Sequence, residues 1–209
     1  MSHRIRLTRR DWFASCAVAL AAGCSDQPGK PRDPAAEAYG PKADPAKLPA
    51  HVLNWPGTAF HEVRAYSFHF TEHSSPYLFD KSGTLNPSVR EKDGVLLNAS
   101  QVKRLLDAVR RPRFPNGYNL CVFDPRHAFV FYDDAKRDVA QIEICYECMQ
   151  AKSKPNSDFL DTLVDFWELS RLFQELGIPH DLNRAEYERI AAEDQARRKS
   201  PTLEESLNK

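Results

Sequence analysis

Three cysteines and one histidine near the middle of the chain have the types and spacing that suit metal binding or thiol chemistry. Cys145 and Cys148 are separated by two residues, as in zinc sites and thiol oxidoreductases, and Cys121 lies upstream. In a disulfide-forming compartment, an odd number of cysteines predicts one disulfide, Cys121–Cys148 or Cys145–Cys148, and one free thiol. The alternative is a Cys₃His zinc site in which His127 is the fourth ligand.

The residues around the cysteine pair disfavour other chemistries. Met149 stands where haem attachment requires a histidine. Glu147 would raise the pKa of the neighbouring thiols, and residues 149–157 make a poor helix for a thioredoxin-type site. The sequence contains no nucleophile elbow, Walker-type loop, His-Glu-x-x-His motif or dinucleotide fingerprint. It therefore predicts no catalytic residue.

A β-meander is predicted to position these side chains. Residues 119–123, 128–132 and 139–145 are rich in β-forming residues and are separated by short polar connections, which favours antiparallel pairing. One buried face is expected to comprise Phe129, Phe131, Ala140, Ile142 and Ile144, and the other face to carry Gln141 and Glu143. If Phe129 lies opposite Ile142, strand alternation places His127 on the core face and Cys145 on the other.

Helices complete an α+β fold, with an antiparallel β-meander packed against them. A first strand is predicted over residues 63–70, from its alternation of aromatic and polar residues. Helices are predicted over residues 101–111, with Ser100 as the cap, and over residues 158–176. The single domain spans residues 51–182, and a charged helix and frayed tail span residues 183–209.

The N-terminus has the features of an export signal. Residues 1–23 consist of an arginine-rich start, a short apolar run and small residues, which predicts a signal peptide. Arg9 and Arg10, followed by Asp11 and two bulky aromatic residues, resemble the twin-arginine export motif. The residues before Cys24 resemble a bacterial lipobox, which implies that lipid on Cys24 anchors the mature protein to a membrane.

Residues 24–50 are predicted to be a flexible tether between the lipidated cysteine and the domain. Proline removes backbone donors, and the residues between the prolines offer no apolar face. The prolines of this stretch are Pro28, Pro31, Pro34, Pro41, Pro45 and Pro49. The domain is therefore expected in the periplasm or the extracellular space, attached to a bacterial envelope membrane.

A resemblance to known proteins covers residues 118–179. With Ile144-Cys145-Tyr146-Glu147-Cys148 at its centre, this stretch resembles a set of uncharacterised bacterial secreted proteins that share an Ile-Cys-aromatic-x-Cys segment. That set has no established activity, so the resemblance implies secretion and no mechanism.

Two classes of function remain. Lys+Arg and Asp+Glu both total 29, so nothing in the charge balance indicates a nucleic-acid partner. The favoured prediction is a lipid-anchored, non-catalytic binding or structural module whose partner is an envelope protein or a small molecule. The alternative is a metal- or thiol-dependent periplasmic enzyme that uses Cys121, Cys145 and Cys148, with zinc as the possible cofactor. The twin-arginine route supports this alternative, because that route exports folded proteins, often with a cofactor bound.

Overall fold

The structure is a computed structural model, which describes residues 40–68, 77–113, 122–156, 164–180 and 184–199. Its centre is a five-stranded sheet in the order β2-β1-β3-β4-β5, in which every neighbouring pair is antiparallel. The strands are β1 (Glu62–Ser67), β2 (Val95–Leu96), β3 (His127–Tyr132), β4 (Asp138–Cys145) and β5 (Gln150–Lys154). With the helices described below, this confirms the predicted α+β class with a meander-like sheet.

The strands differ from the prediction at several places: β1 ends at Ser67, before residue 70, and the short β2 was not predicted. The middle and last predicted meander strands are β3 and β4, and Phe129 lies opposite Ile142, the pairing on which the expected faces of His127 and Cys145 depend. The strand predicted over residues 119–123 is wrong at Val122 and Phe123, which lie outside any strand. Residues 119–121 lie outside the described ranges. The place beside β3 is taken by β1, while the unpredicted β5 continues the meander.

The described ranges contain a short 3₁₀-helix, Pro45–Lys47, and four α-helices: α1 (Ala50–Leu53), α2 (Ala99–Arg110), α3 (Phe166–Glu175) and α4 (Arg184–Lys199). The predicted cap Ser100 is wrong, because α2 begins earlier, and Asn98 and Gln101 form a reciprocal capping box. Helix α3 begins later than residue 158, since Asp165 is its N-cap and accepts a hydrogen bond from the backbone N–H of Glu168. The predicted C-terminal end is confirmed, with Gly177 at φ 70° just beyond the helix.

Helices α2 and α3 cover one face of the sheet, here called the helix face. The largest hydrophobic cluster lies there and contains the whole predicted buried face together with Leu105, Leu169, Leu172 and Phe173. Phe173 stacks on Phe129 with 4.5 Å between the ring centroids. Apolar burial of this kind is the main stabilising contribution in a small domain.

An irregular segment covers the opposite side, here called the cover face. The cover segment is defined as residues 77–94, and its Leu78 and Val89 form a second hydrophobic cluster with Tyr66 and Val130. The sequence analysis places Gln141 and Glu143 on this face, opposite the buried one. Glu143 is instead only 2 % exposed, because the cover segment lies over it.

The end of the predicted tether belongs to the folded part. Ala43 is buried, and its N–H donates to the carbonyl of Pro112 at 2.7 Å. The Nζ of Lys42 lies 2.7 Å from Asp107 and 3.4 Å from Asp165, and Asp165 is also paired with Arg113 at 2.9 Å. The predicted tether is therefore too long at its C-terminal end. The carboxylates of Asp107 and Asp165 hold the side chain of Lys42, and the sequence around residue 42 gives no indication of these contacts.

No helix in the described ranges combines the length and the apolar character needed to cross a membrane.

Candidate functional site

The cysteine pair lies at the end of β4 and in the turn that leads to β5. Cys145 is a buried free cysteine, and its Sγ accepts a hydrogen bond from the backbone N–H of Cys148 at 3.4 Å. The turn closes at Met149, which adopts φ 51°. Since Cys145 is free, the alternative Cys145–Cys148 disulfide is wrong. The short spacing here forms a turn held by an N–H···S contact.

Cys148 lies beside the chain segment that follows Cys121. The Sγ atom of Cys148 is 3.1 Å from the carbonyl oxygen of Val122, and the residue is 2 % exposed. Cys121 itself lies outside the described residues, as do Arg9, Arg10 and Cys24. The structure therefore places Cys148 next to the neighbour of Cys121.

His127 is a buried core residue at the start of β3. Its Nε2 lies 2.7 Å from the carbonyl oxygen of Pro179, and because a carbonyl can only accept, Nε2 is the donor. The ring contacts Phe173 and Tyr146 at centroid distances of 4.8 and 5.4 Å. A metal at Nε2 would need the lone pair that this protonated nitrogen lacks.

Strand register separates His127 from the cysteine pair. His127 lies opposite Ile144 on the helix face, so the next residue, Cys145, is on the cover face, as alternation predicted. Across the described ranges, no three His, Cys, Asp or Glu side chains come together as a metal site would require. Of the predicted zinc set of Cys121, His127, Cys145 and Cys148, the three described members do not form a metal site, and Cys121 lies outside the described residues.

A polar groove on the cover face was missed by the sequence analysis. It has a volume of about 480 Å³ and is lined by Glu62, Arg64, Tyr66, Lys92, Asp93, Tyr132 and Lys136. Three of these alternate along β1, and Tyr132 of β3 is the register partner of Glu62. The hydroxyls of Tyr66 and Tyr132 meet at 2.8 Å, although the two residues are separated by four positions along the sheet.

The end of the cover segment forms the wall of this groove. One Nη of Arg64 donates to the Asp93 carbonyl at 2.6 Å. Gly94 adopts φ +68°, and a Cβ there would lie only 2.5 Å from Cζ of Tyr66. A glycine is therefore required by both the backbone conformation and the closeness of the tyrosine ring.

Ion pairs fix the charge pattern of the groove. Glu62 accepts from Nε of Arg64 and from Nζ of Lys136, both at 2.6 Å, and these bonds hold the pKa of its carboxyl at about 2. Burial raises the pKa of Tyr66, and burial with the Tyr66 hydrogen bond raises that of Tyr132. At neutral pH the groove therefore contains an ionised, doubly paired carboxylate and two protonated hydroxyls.

The sequence held a signal for part of this groove. The alternation Glu62-x-Arg64-x-Tyr66 places an acid, a base and a tyrosine on one strand face. The sequence analysis predicts this strand from its aromatic residues and does not identify the row of Glu62, Arg64 and Tyr66 as a polar surface. Tyr132, Lys92 and Lys136 reach the row only through strand pairing, the cover segment and the β3–β4 hairpin, so local sequence gave no indication of their proximity.

Glu143 is the other polar feature of the cover face. One of its oxygens accepts the backbone N–H of Leu78 at 2.7 Å. Burial raises the pKa of Glu143 to about 7, against the opposing effects of that hydrogen bond and of Lys152, its register partner on β5. Nζ of Lys152 also lies 4.8 Å from the ring centroid of Phe123. This carboxyl attaches the start of the cover segment to the sheet.

No family model, curated protein or solved structure matches this chain. The geometry of the groove and of the cysteine turn is therefore the basis for the functional argument.

Proposed function

We propose that this chain is an exported, lipid-anchored protein of the bacterial envelope whose domain is a non-catalytic binding module, with the groove as its binding surface. The observation that carries the binding proposal is the polar groove bounded by Arg64, Tyr66 and Tyr132. The side chains of these three residues are held by Glu62, by one another and by the cover segment, so little ordering of them would accompany ligand binding. Export and anchoring rest on the sequence around Arg9, Arg10 and Cys24.

The attachment of residues 40–43 to the domain sets the length of the proposed tether. Lys42 and Ala43 are held by Asp107, Asp165 and Pro112, so only residues 25–39 would separate the lipid from the domain. At the maximal extension of a polypeptide, this stretch reaches about 50 Å. The proposed anchor would thus keep the groove within a short, bounded distance of the membrane.

The anchoring proposal is tested by labelling cells with a radioactive or alkyne-bearing fatty acid. The wild-type protein should incorporate the label, Cys24→Ala should abolish incorporation, and Cys16→Ala, in the predicted signal peptide, should leave it unchanged. Both variants keep the domain sequence intact, so loss of label cannot result from unfolding of the domain. Labelling that persists in Cys24→Ala would contradict the anchor.

The export route is tested by conservative substitution in the signal. Replacing Arg9 and Arg10 together by lysine keeps the positive charge but removes the paired guanidinium groups of the twin-arginine motif. Precursor should accumulate in the cytoplasm. The matched control replaces Arg4 and Arg6 by lysine and should be exported normally. Equal export of both double variants would show that the general secretion route suffices.

We propose a Cys121–Cys148 disulfide as the stabilising link of the domain. The 3.1 Å distance from Cys148 Sγ to the Val122 carbonyl supports it, as does the free state of Cys145. Such a bond would contribute about 2–4 kcal/mol. Alkylation of the unfolded, non-reduced mature domain should modify Cys145 alone. Modification of all three thiols, together with copurified zinc, would favour the metal-dependent alternative.

A further inference from the structure

The groove has hydrogen-bond donors left over after its internal bonds are counted, and these indicate a class of ligand. Arg64 uses Nε on Glu62 and one Nη on the Asp93 and Gly94 carbonyls, so its second Nη makes no hydrogen bond to a described residue. Lys92 is exposed and forms no ion pair within the described ranges. Both groups can therefore bind a ligand without breaking an existing contact.

The tyrosine pair supplies a further donor. Two hydroxyls that share one hydrogen bond retain one spare proton, because each hydroxyl can donate once. The alternative acceptor for Tyr66 is the Asp93 carbonyl at 3.5 Å, the outer limit of a useful hydrogen bond. When Tyr66 donates to Tyr132, the Tyr132 proton is available to a ligand. A negatively charged oxygen would be the strongest acceptor for it.

The two carboxylates of the groove limit what else the ligand can carry. Glu62 is already paired with two cations, so it is not available to a cationic ligand. Asp93 is exposed, and its carboxylate makes no hydrogen bond or ion pair to a described residue. It would repel a second negative charge but can accept hydrogen bonds from neutral hydroxyls. The pattern therefore suits a ligand with one anionic end and a neutral, hydroxyl-bearing body.

We infer that the groove binds a small polyol that carries one oxyanion, as in a sugar phosphate or a sugar acid. Arg64, Lys92 and Tyr132 contact the oxyanion, and Asp93 accepts from the hydroxyls. The volume of about 480 Å³ is within the usual range for small-molecule sites, which is roughly 300–1,000 Å³. This inference rests on the proposed function, since it specifies the ligand of the proposed binding module.

The test is isothermal titration calorimetry of the purified mature protein with three probes of similar size. Glucose 6-phosphate carries a phosphate, gluconate carries a carboxylate, and glucose carries no charge. At least one anionic probe should bind about tenfold or more tightly than glucose, which corresponds to one charge-assisted hydrogen bond or more. The stronger of the two anionic probes identifies the source of the oxyanion.

Two variants locate the binding, and a third is the matched control. Lys92→Gln and Tyr132→Phe should each weaken the affinity for the anionic probe about fivefold or more and leave the affinity for glucose unchanged. Lys81→Gln removes an exposed lysine outside the groove and should leave binding unaltered. A melting curve of each variant shows whether it is folded. Because Lys92 is exposed and forms no ion pair with a described residue, its variant tests the site even if Tyr132→Phe is unstable.

Three results would overturn the inference. Glucose binding as tightly as both anionic probes would remove the oxyanion requirement. An equal loss of affinity in Lys81→Gln and Lys92→Gln would show diffuse charge attraction and no site. Failure of all three probes to bind at about 10 mM would mean that the groove does not take this class. Normal fatty-acid labelling and export alongside any of these results would leave the anchor proposal standing and reject the ligand alone.

Discussion

The two faces of the central sheet are covered in different ways, and the difference separates the apolar core from the proposed binding groove. On the helix face, α2 and α3 cover an apolar cluster in which His127 is a buried core residue. On the cover face, an irregular segment covers the buried carboxyl Glu143 and leaves a polar groove at its end. Helices satisfy their own backbone groups, whereas an irregular segment needs side-chain partners, which brings polar groups into its contact with the sheet.

The largest expected effect distinguishes the two faces by the same truncation. Phe173→Ala on the helix face and Phe68→Ala on the cover face each remove a side chain that is no more than 1 % exposed. Phe173→Ala should lower the free energy of unfolding by about 4–5 kcal/mol, because its stacked partner Phe129 lies in a regular layer that cannot close the cavity. Phe68→Ala should lower the free energy of unfolding by about 3 kcal/mol, since the irregular cover segment can relax and partly fill the cavity.

Urea unfolding of both variants measures this difference. Equal losses would show that the cover segment is as rigidly packed as the helices and would remove the contrast between the faces.

The next effect concerns the pH dependence of the cover face. Glu143 has a pKa of about 7 in the folded protein and an ordinary value of 4.5. The folded state therefore binds the proton more tightly than the unfolded state. The resulting contribution of Glu143 to stability is fully present below pH 4.5 and is lost as pH rises through about 7. The free energy of unfolding falls by about 3 kcal/mol in total over this pH range.

Glu143→Gln sharpens this prediction, because a glutamine resembles the protonated acid and does not ionise. Urea unfolding should show the variant to be more stable than the wild type at about pH 8 and nearly equal at about pH 4.5. Asp134→Asn, at an exposed acid, serves as the control and should show no such difference. A Glu143→Gln protein that is less stable at about pH 8 would mean that the ionised carboxylate holds the cover segment.

The smallest effect is expected at the wall of the groove. Gly94→Ala should lower the free energy of unfolding by about 2 kcal/mol, because alanine is strained at φ +68° and its Cβ would displace the Tyr66 ring. Gly83→Ala is the matched control, since Gly83 has a similar φ of +81° but open space around its Cβ position. Thermal unfolding should show a larger loss for Gly94→Ala. Equal losses would assign the whole effect to backbone strain and none to the contact with Tyr66.

Local pattern predicted the regular parts of the fold. The alternation of residues 128–132 and 139–145 predicted β3 and β4 and, for a pairing of Phe129 with Ile142, the opposite faces of His127 and Cys145. The apolar stripe of α3 and Gly177 predicted that helix and its end. Strand and helix periodicities are properties of consecutive residues, so they can be read without knowledge of the rest of the chain.

The sites depended on contacts between distant residues. The sequence by itself indicated an α+β fold, predicted export and lipidation from its N-terminal pattern, and singled out the cysteines. Only the tertiary structure decided that Cys145 is a free buried thiol, that the cover segment buries Glu143, and that Tyr66 meets Tyr132. Each of these depends on which distant segments pack against the sheet. That packing follows from the burial of the whole chain and has no signature in any short stretch of residues.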